Sequence, residues 1–164
     1  MSPQDQKMID DFWNVLVSLS LQIVKKEPAL EALMNKLVLT CRSFDQCLAR
    51  IISSKLASYE VDRQQLFQIC MQAYADNPNL LCDAIADVYA VVNRDPASSS
   101  IVRVLLFLKG PHVLESWRVS HWLWEKDRKD FASFLQSRIS DVFSVDIHPA
   151  AKIGKGLMLD HATN

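Results

Sequence analysis

Ile9, Phe12, Trp13, Leu16, Leu19 and Ile23 recur at intervals of three and four, and only Ser20 interrupts the apolar stripe, which predicts an amphipathic helix near the N-terminus. Ser2 and Pro3 supply an N-cap and a first-turn proline, and Asp5, Asp10 and Asp11 stand where the helix dipole favours acids. Pro28 ends or restarts that helix. Leu30, Leu33, Met34, Leu37 and Val38, then Phe44, Cys47, Leu48, Ile51, Ile52 and Leu56, predict two more helices with narrow stripes. Asp62 followed by Gln65 has the form of a capping box ahead of Leu66, Ile69 and Cys70. Asn77-Pro78 breaks this helix, and Leu80, Leu81, Ala84, Ile85, Val88, Tyr89 and Val92 make the next.

The run from Asn93 to Ser100 is a loop or helix junction, because the residue before a proline avoids helical angles and the serines offer capping side chains. Spacing alone favours Asp95 as a cap for the helix after Pro96. Ile101 to Leu108 is apolar nearly all round and so should be buried. Gly110-Pro111 reads as a stop followed by a start. The next helix, from His112 to about Lys126, concentrates Trp117, His121, Trp122 and Trp124, as a core or interface helix would. His112 and His121 are nine apart and do not share a face as metal ligands at i and i+4 do, so both read as core or interface histidines. A last helix from about Arg128 carries Phe131, Phe134, Leu135, Ile139 and Val142.

Beyond Asp146 the period changes to six. IHPAAK, IGKGLM and LDHATN open on Ile147, Ile153 and Leu159, the pattern of a hexapeptide β-helix whose leading aliphatic residue fills a triangular coil. Ala150, Ala151, Ala162 and Thr163 suit tight corners, and Gly154 and Gly156 permit positive backbone angles. The predicted fold is therefore mainly α: a bundle of short amphipathic helices over residues 1–145, then one coil of a left-handed parallel β-helix over 146–164. Asp146 and His161 lie fifteen apart, nearly one eighteen-residue coil, so they could share a side of the prism. A carboxylate that fixes an imidazole makes it a competent base toward a hydroxyl. On spacing alone the simpler alternative, that both are solvated turn residues, is favoured.

Composition narrows the function classes. Only Gly110 of the three glycines precedes the repeat, which favours helices. A net charge of −1 provides no field for nucleic acid or an anionic membrane. No apolar run approaches the ~20 residues that span a bilayer, and MSPQDQKMIDDF is too acidic for a signal peptide. Cys41, Cys47, Cys70 and Cys82 lack zinc-site spacing and read as reduced core thiols of a cytoplasmic protein. No metal site is expected.

Five segments together carry a resemblance: Asp95-Pro96-Ala97; Leu106-x-Leu108-Lys109-Gly110-x-His112; His121-Trp122-Leu123-Trp124; Val145-Asp146-Ile147-His148-Pro149-Ala150-Ala151-Lys152-Ile153-Gly154; and Leu159-Asp160-His161-Ala162-Thr163. In this order and spacing they resemble bacterial serine acetyltransferase, most closely over about residues 90 to 163. The resemblance implies acetyl transfer from acetyl-CoA to the hydroxyl of L-serine, giving O-acetylserine in cysteine synthesis, with L-cysteine inhibiting from the serine site. It implies His161 as base, Asp146 as its orienting partner, and Asp95 and Asp160 as acceptors of the substrate ammonium. It assigns no catalytic role to His112 or His121.

The same resemblance implies further coils, which would carry a second histidine, an arginine for the substrate carboxylate, the acetyl-CoA groove and a tail that docks to the next pathway enzyme. None lies in this sequence, so neither acetyl-CoA binding, nor that docking, nor acetyl transfer by this chain alone is expected. Asn164 stands where the family has glycine, and a coil without neighbours is expected to be frayed or irregular. An alternative is a non-catalytic self-association module, a homo-oligomer built through the helices with the tryptophan-rich segment at the interface. Another hexapeptide-repeat acyltransferase fits the coil but not the helices or the Asp-Pro-Ala loop.

Overall fold

The computed structural model describes residues 1–162. Thr163 and Asn164, a corner residue and a left-handed residue on the sequence reading, lie outside the described residues. Helix α1 spans Pro3–Lys26, and Ser2 caps it as its spacing predicted: Ser2 Oγ accepts from the Asp5 amide at 3.1 Å while the Asp5 carboxylate accepts from the Ser2 amide at 3.0 Å. Ile9, Phe12, Leu16 and Ser20 form its buried stripe. A short 3₁₀ turn at Pro28–Leu30 leads into α2 (Glu31–Met34), which widens into a π turn at Asn35–Leu39 rather than continuing as the regular helix that its stripe suggested. The widening leaves main-chain carbonyls to be satisfied from outside. Thr40 Oγ1 donates to Asn35 O at 2.8 Å, and Arg50, fourteen residues after Lys36, donates to Lys36 O at 3.2 Å.

Helices α3 (Phe44–Leu56) and α4 (Arg63–Asp76) form an antiparallel pair, and the Asp62–Gln65 capping box closes as predicted. Helix α5 (Asn79–Arg94) follows, then α6 (Ile101–Phe107), α7 (Lys109–Glu125) and α8 (Lys129–Phe143). Helix α7 is the axis of the bundle, packing on α3, α4, α5, α6 and α8, with every residue from Gly110 to Ser120 buried. Its aromatic content therefore serves the interior of this chain. Trp117 is fully buried, and the partly buried Trp122 and Trp124 pack against the core, which is the core role that the segment's aromatic content suggested. Phe12 ties α1 to the rest through edge-on contacts with Phe44 and Tyr89, at centroid distances of 4.9 and 5.8 Å. Burying Phe12 and Phe44 is worth about 1.5–3 kcal/mol each.

Helix α8 ends where Ser144 turns left-handed, with φ of 57°, which redirects the chain and accounts for the change of period there. From Val145 onward the described residues contain no strand. Ile147, Ile153 and Leu159, the leading residues of the three expected hexapeptides, are half-buried and pack against the helical core. Gly156 does adopt the positive φ that the repeat required, at 72°.

The described residues include no helix long and apolar enough to cross a membrane. The four cysteines are free, with Cys47, Cys70 and Cys82 buried and Cys41 half-buried.

Candidate functional site

Where α5 ends, Asp95 leaves the helix with an extended backbone, and its Oδ1 accepts from the Ala97 amide at 2.8 Å. This local turn replaces the cap expected of Asp95, because the residue before α6 is Ser100. The Ala97 amide, then the Ser98 hydroxyl, and more weakly His161, hold the Asp95 carboxyl below its ordinary range. An ionised carboxylate thus stands at the mouth of a junction whose sequence alone suggested only capping.

Asp95, Asp160 and His161 line one cavity of about 430 Å³ between the α5–α6 junction, the start of α7 and the end of the extended segment. Arg103 and Lys109 bring positive charge to the same walls, while Val91, Phe107 and Met158 supply apolar surface. His161 Nε2 lies 3.6 Å from Asp160 Oδ1, and both side chains are exposed, at 84% and 67%. His161 also holds a left-handed backbone, φ 50°, which costs a side-chain-bearing residue roughly 1 kcal/mol or more. Two carboxylates, two cations and an imidazole around one space suit a small zwitterion: the acids favour an ammonium, the cations a carboxylate, and the ring a hydroxyl proton.

Asp146 is not part of this cavity. Its carboxylate is exposed and accepts from Gln136 Nε2 at 2.7 Å, and the acid at ion-pair distance from His161 is Asp160. His112 is a core residue, with Nε2 bonded to Leu105 O at 2.8 Å. His121 stacks on Trp117 and bonds Pro149 O at 2.6 Å. Neither histidine lines the cavity.

Sequence reasoning passed over Arg103 and named Lys109 only within a segment that carries the resemblance, without a role. The signal in the residues themselves was their polarity in an otherwise apolar stretch, Ile101 to Leu108, and at the start of α7. It also missed the buried ionic cluster beneath the segment, in which Arg118 pairs with Asp87 and lies 3.6 Å from Asp83 and 3.7 Å from Glu115. Burial drives the Glu115 carboxyl upward, and Asp87 and Asp83 add to the effect while Arg118 opposes it. A different cavity, of about 350 Å³, is lined by Lys36, Arg50 and Arg63; it contains no acid or histidine and offers no base.

The family model described as "Serine acetyltransferase, N-terminal" matches residues 12–116. The serine acetyltransferase of Buchnera aphidicola subsp. Schizaphis graminum is 41% identical over 153 residues, covering 93% of this chain and 59% of the relative. A solved serine acetyltransferase in complex with CoA superposes with a TM-score of 0.92 at 38% identity, covering 94% of this chain and 66% of that one. The Neisseria gonorrhoeae serine acetyltransferase in complex with serine gives a TM-score of 0.89 at 40% identity, covering 92% and 63%. The chain belongs to the serine acetyltransferase family. It spans less than two thirds of the length of the curated relatives it matches.

Proposed function

We propose that this chain supplies the serine-binding half of a serine acetyltransferase, which moves the acetyl group of acetyl-CoA to L-serine and yields O-acetylserine and free CoA. The observation that carries this reading is the convergence of Asp95, Asp160 and His161 on one cavity of amino-acid size. In the proposed reaction, His161 takes the proton from the serine hydroxyl, the oxygen attacks the thioester carbonyl, and the CoA sulfur leaves and takes up a proton. Asp95 and Asp160 receive the ammonium group, and Arg103 and Lys109 lie within the same walls to offset the carboxylate. L-cysteine, which keeps both charged groups of serine, would occupy the same place and inhibit.

Residues 146–164 are assigned as the first coil of a left-handed parallel β-helix that becomes regular when further coils stack on it, beside a helical domain of residues 1–145. Asp146 is assigned to orient His161 in that stacked form. The setting is cytoplasmic, in keeping with free, mostly buried thiols. Titration of the labelled chain with L-serine to about 10 mM, above the range of common KM values, tests the reading. Shifts confined to the Ala97, Ser98, Asp160 and His161 amides support it, and no shift at these amides would overturn it.

Self-association through the helices is supported by a separate feature. Met8, Val15 and Tyr89 are exposed apolar side chains lining one groove of about 330 Å³ along α1. Sedimentation of the wild-type chain and of Val15→Glu tests this; a wild-type monomer at micromolar concentration would exclude it.

A further inference from the structure

The segment that carries Asp160 and His161 has no strand partner among the described residues, so its placement must come from elsewhere. Helix side chains hold its main chain. Trp117 Nε1 donates to His148 O at 3.2 Å, Arg118 Nη2 to Gly154 O at 3.0 Å, and Arg94 Nη1 to Gly156 O at 2.9 Å. Asp87 Oδ1 accepts from the Leu157 amide at 2.8 Å.

Asp87 and Arg118 are also paired with each other, at 1% and 4% exposure. Moving two charges this deep costs several kcal/mol each, and apolar residues of similar volume often stabilise a core as well or better. Stability is therefore a poor reason for the pair. Apolar substitutes could not give a donor to Gly154 and an acceptor to Leu157, and those two bonds fix the register of the segment six and three residues before Asp160.

Gly110 makes the second constraint. A Cβ there would lie 2.2 Å from Leu159 O, a main-chain atom that cannot swing aside. The start of α7 and the residue preceding Asp160 are in contact only because position 110 has no side chain.

We propose that Asp87, Arg118 and Gly110 are positioning residues that set Asp160 and His161 opposite Asp95. The buried pair pins Gly154 and Leu157, and the glycine lets Leu159 lie against α7. Calling the place a serine site rests on the function proposed above; the positioning does not.

Two variants test it in the full chain. Gly110→Ala changes no charge and leaves the pair intact, and Asp87→Asn keeps the side-chain shape but removes the charge. The readouts are Leu157 amide exchange, the NMR resonances of Leu159 and the His161 ring, and L-serine affinity, with exchange in α8 as the control for folding. Asparagine still offers an oxygen to the Leu157 amide but without the charge that strengthens the bond, so Asp87→Asn should speed Leu157 exchange about tenfold. Gly110→Ala should move the Leu159 and His161 resonances and weaken serine binding about tenfold, with α8 unchanged. Should Asp87→Asn fail to fold, Gly110→Ala decides alone. A folded Gly110→Ala chain with His161 resonances and serine affinity as in the wild type overturns the proposal. If the wild type does not bind serine while Leu157 and His161 respond as expected, the serine reading fails and the positioning stands.

Discussion

Acid should unfold this chain earlier than its surface carboxylates alone would, because His112 is buried as a neutral ring. The side chain projects from α7 onto α6, bonded to Leu105 O and near the Phe143 ring, and burial, opposed by the Leu105 bond and aided slightly by Lys55, lowers its pKa from 6.5 to about 4. In the folded chain the ring stays neutral down to about pH 4, whereas in the unfolded chain it takes a proton near pH 6.5. The unfolded state therefore binds more protons between these values, and stability falls as the pH is lowered through that window. At about 1.4 kcal/mol for each tenfold change, His112 should cost about 3 kcal/mol on going from neutral pH to pH 4. Urea unfolding of the wild type and of His112→Gln at the two pH values isolates this share. Glutamine keeps a donor for Leu105 O but does not titrate, and the carboxylates common to both chains cancel. Equal losses in the two chains, to within about 0.5 kcal/mol, would refute the account.

Asp62→Ala removes the side-chain acceptor of the Gln65 amide, leaving the bond from the residue-62 amide to Gln65 Oε1, and should cost about 1 kcal/mol in urea unfolding; no loss would mean that the cap is idle. Ser20→Ala should change stability by no more than about 0.5 kcal/mol, although Ser20 is wholly buried, because its hydroxyl donates only to Leu16 O of its own helix and alanine is the better helix former. Iodoacetamide should modify Cys41 first in the native chain: this half-buried thiol is lowered by its neighbour Cys47, whereas burial pushes Cys70 up to about 12, and Cys47 and Cys82 are also raised. Mass spectrometry of the labelled peptides would contradict this if Cys70 reacted as fast.

The sequence by itself determined what is settled within one or two helical turns. The caps at Ser2 and Asp62, the breaks at Pro28 and Asn77-Pro78, and the buried stripe of α1 could be read because donor and acceptor lie three or four residues apart. His112 was legible as a core residue for the same reason, since its neighbours on α7 are apolar. Tertiary structure decided the rest. Asp87 and Arg118 are 31 residues apart, Asp87 and Leu157 are 70, and no periodicity couples positions so distant. At the π turn, the Lys36 carbonyl is bonded by Arg50, which arrives from another helix. The repeat shows the division most clearly. Its six-residue period identified which residues belong together, but not that the segment packs on the helical core and is held there by the buried Asp87–Arg118 pair. That placement brings Asp160 and His161 to Asp95 and leaves Asp146 with Gln136.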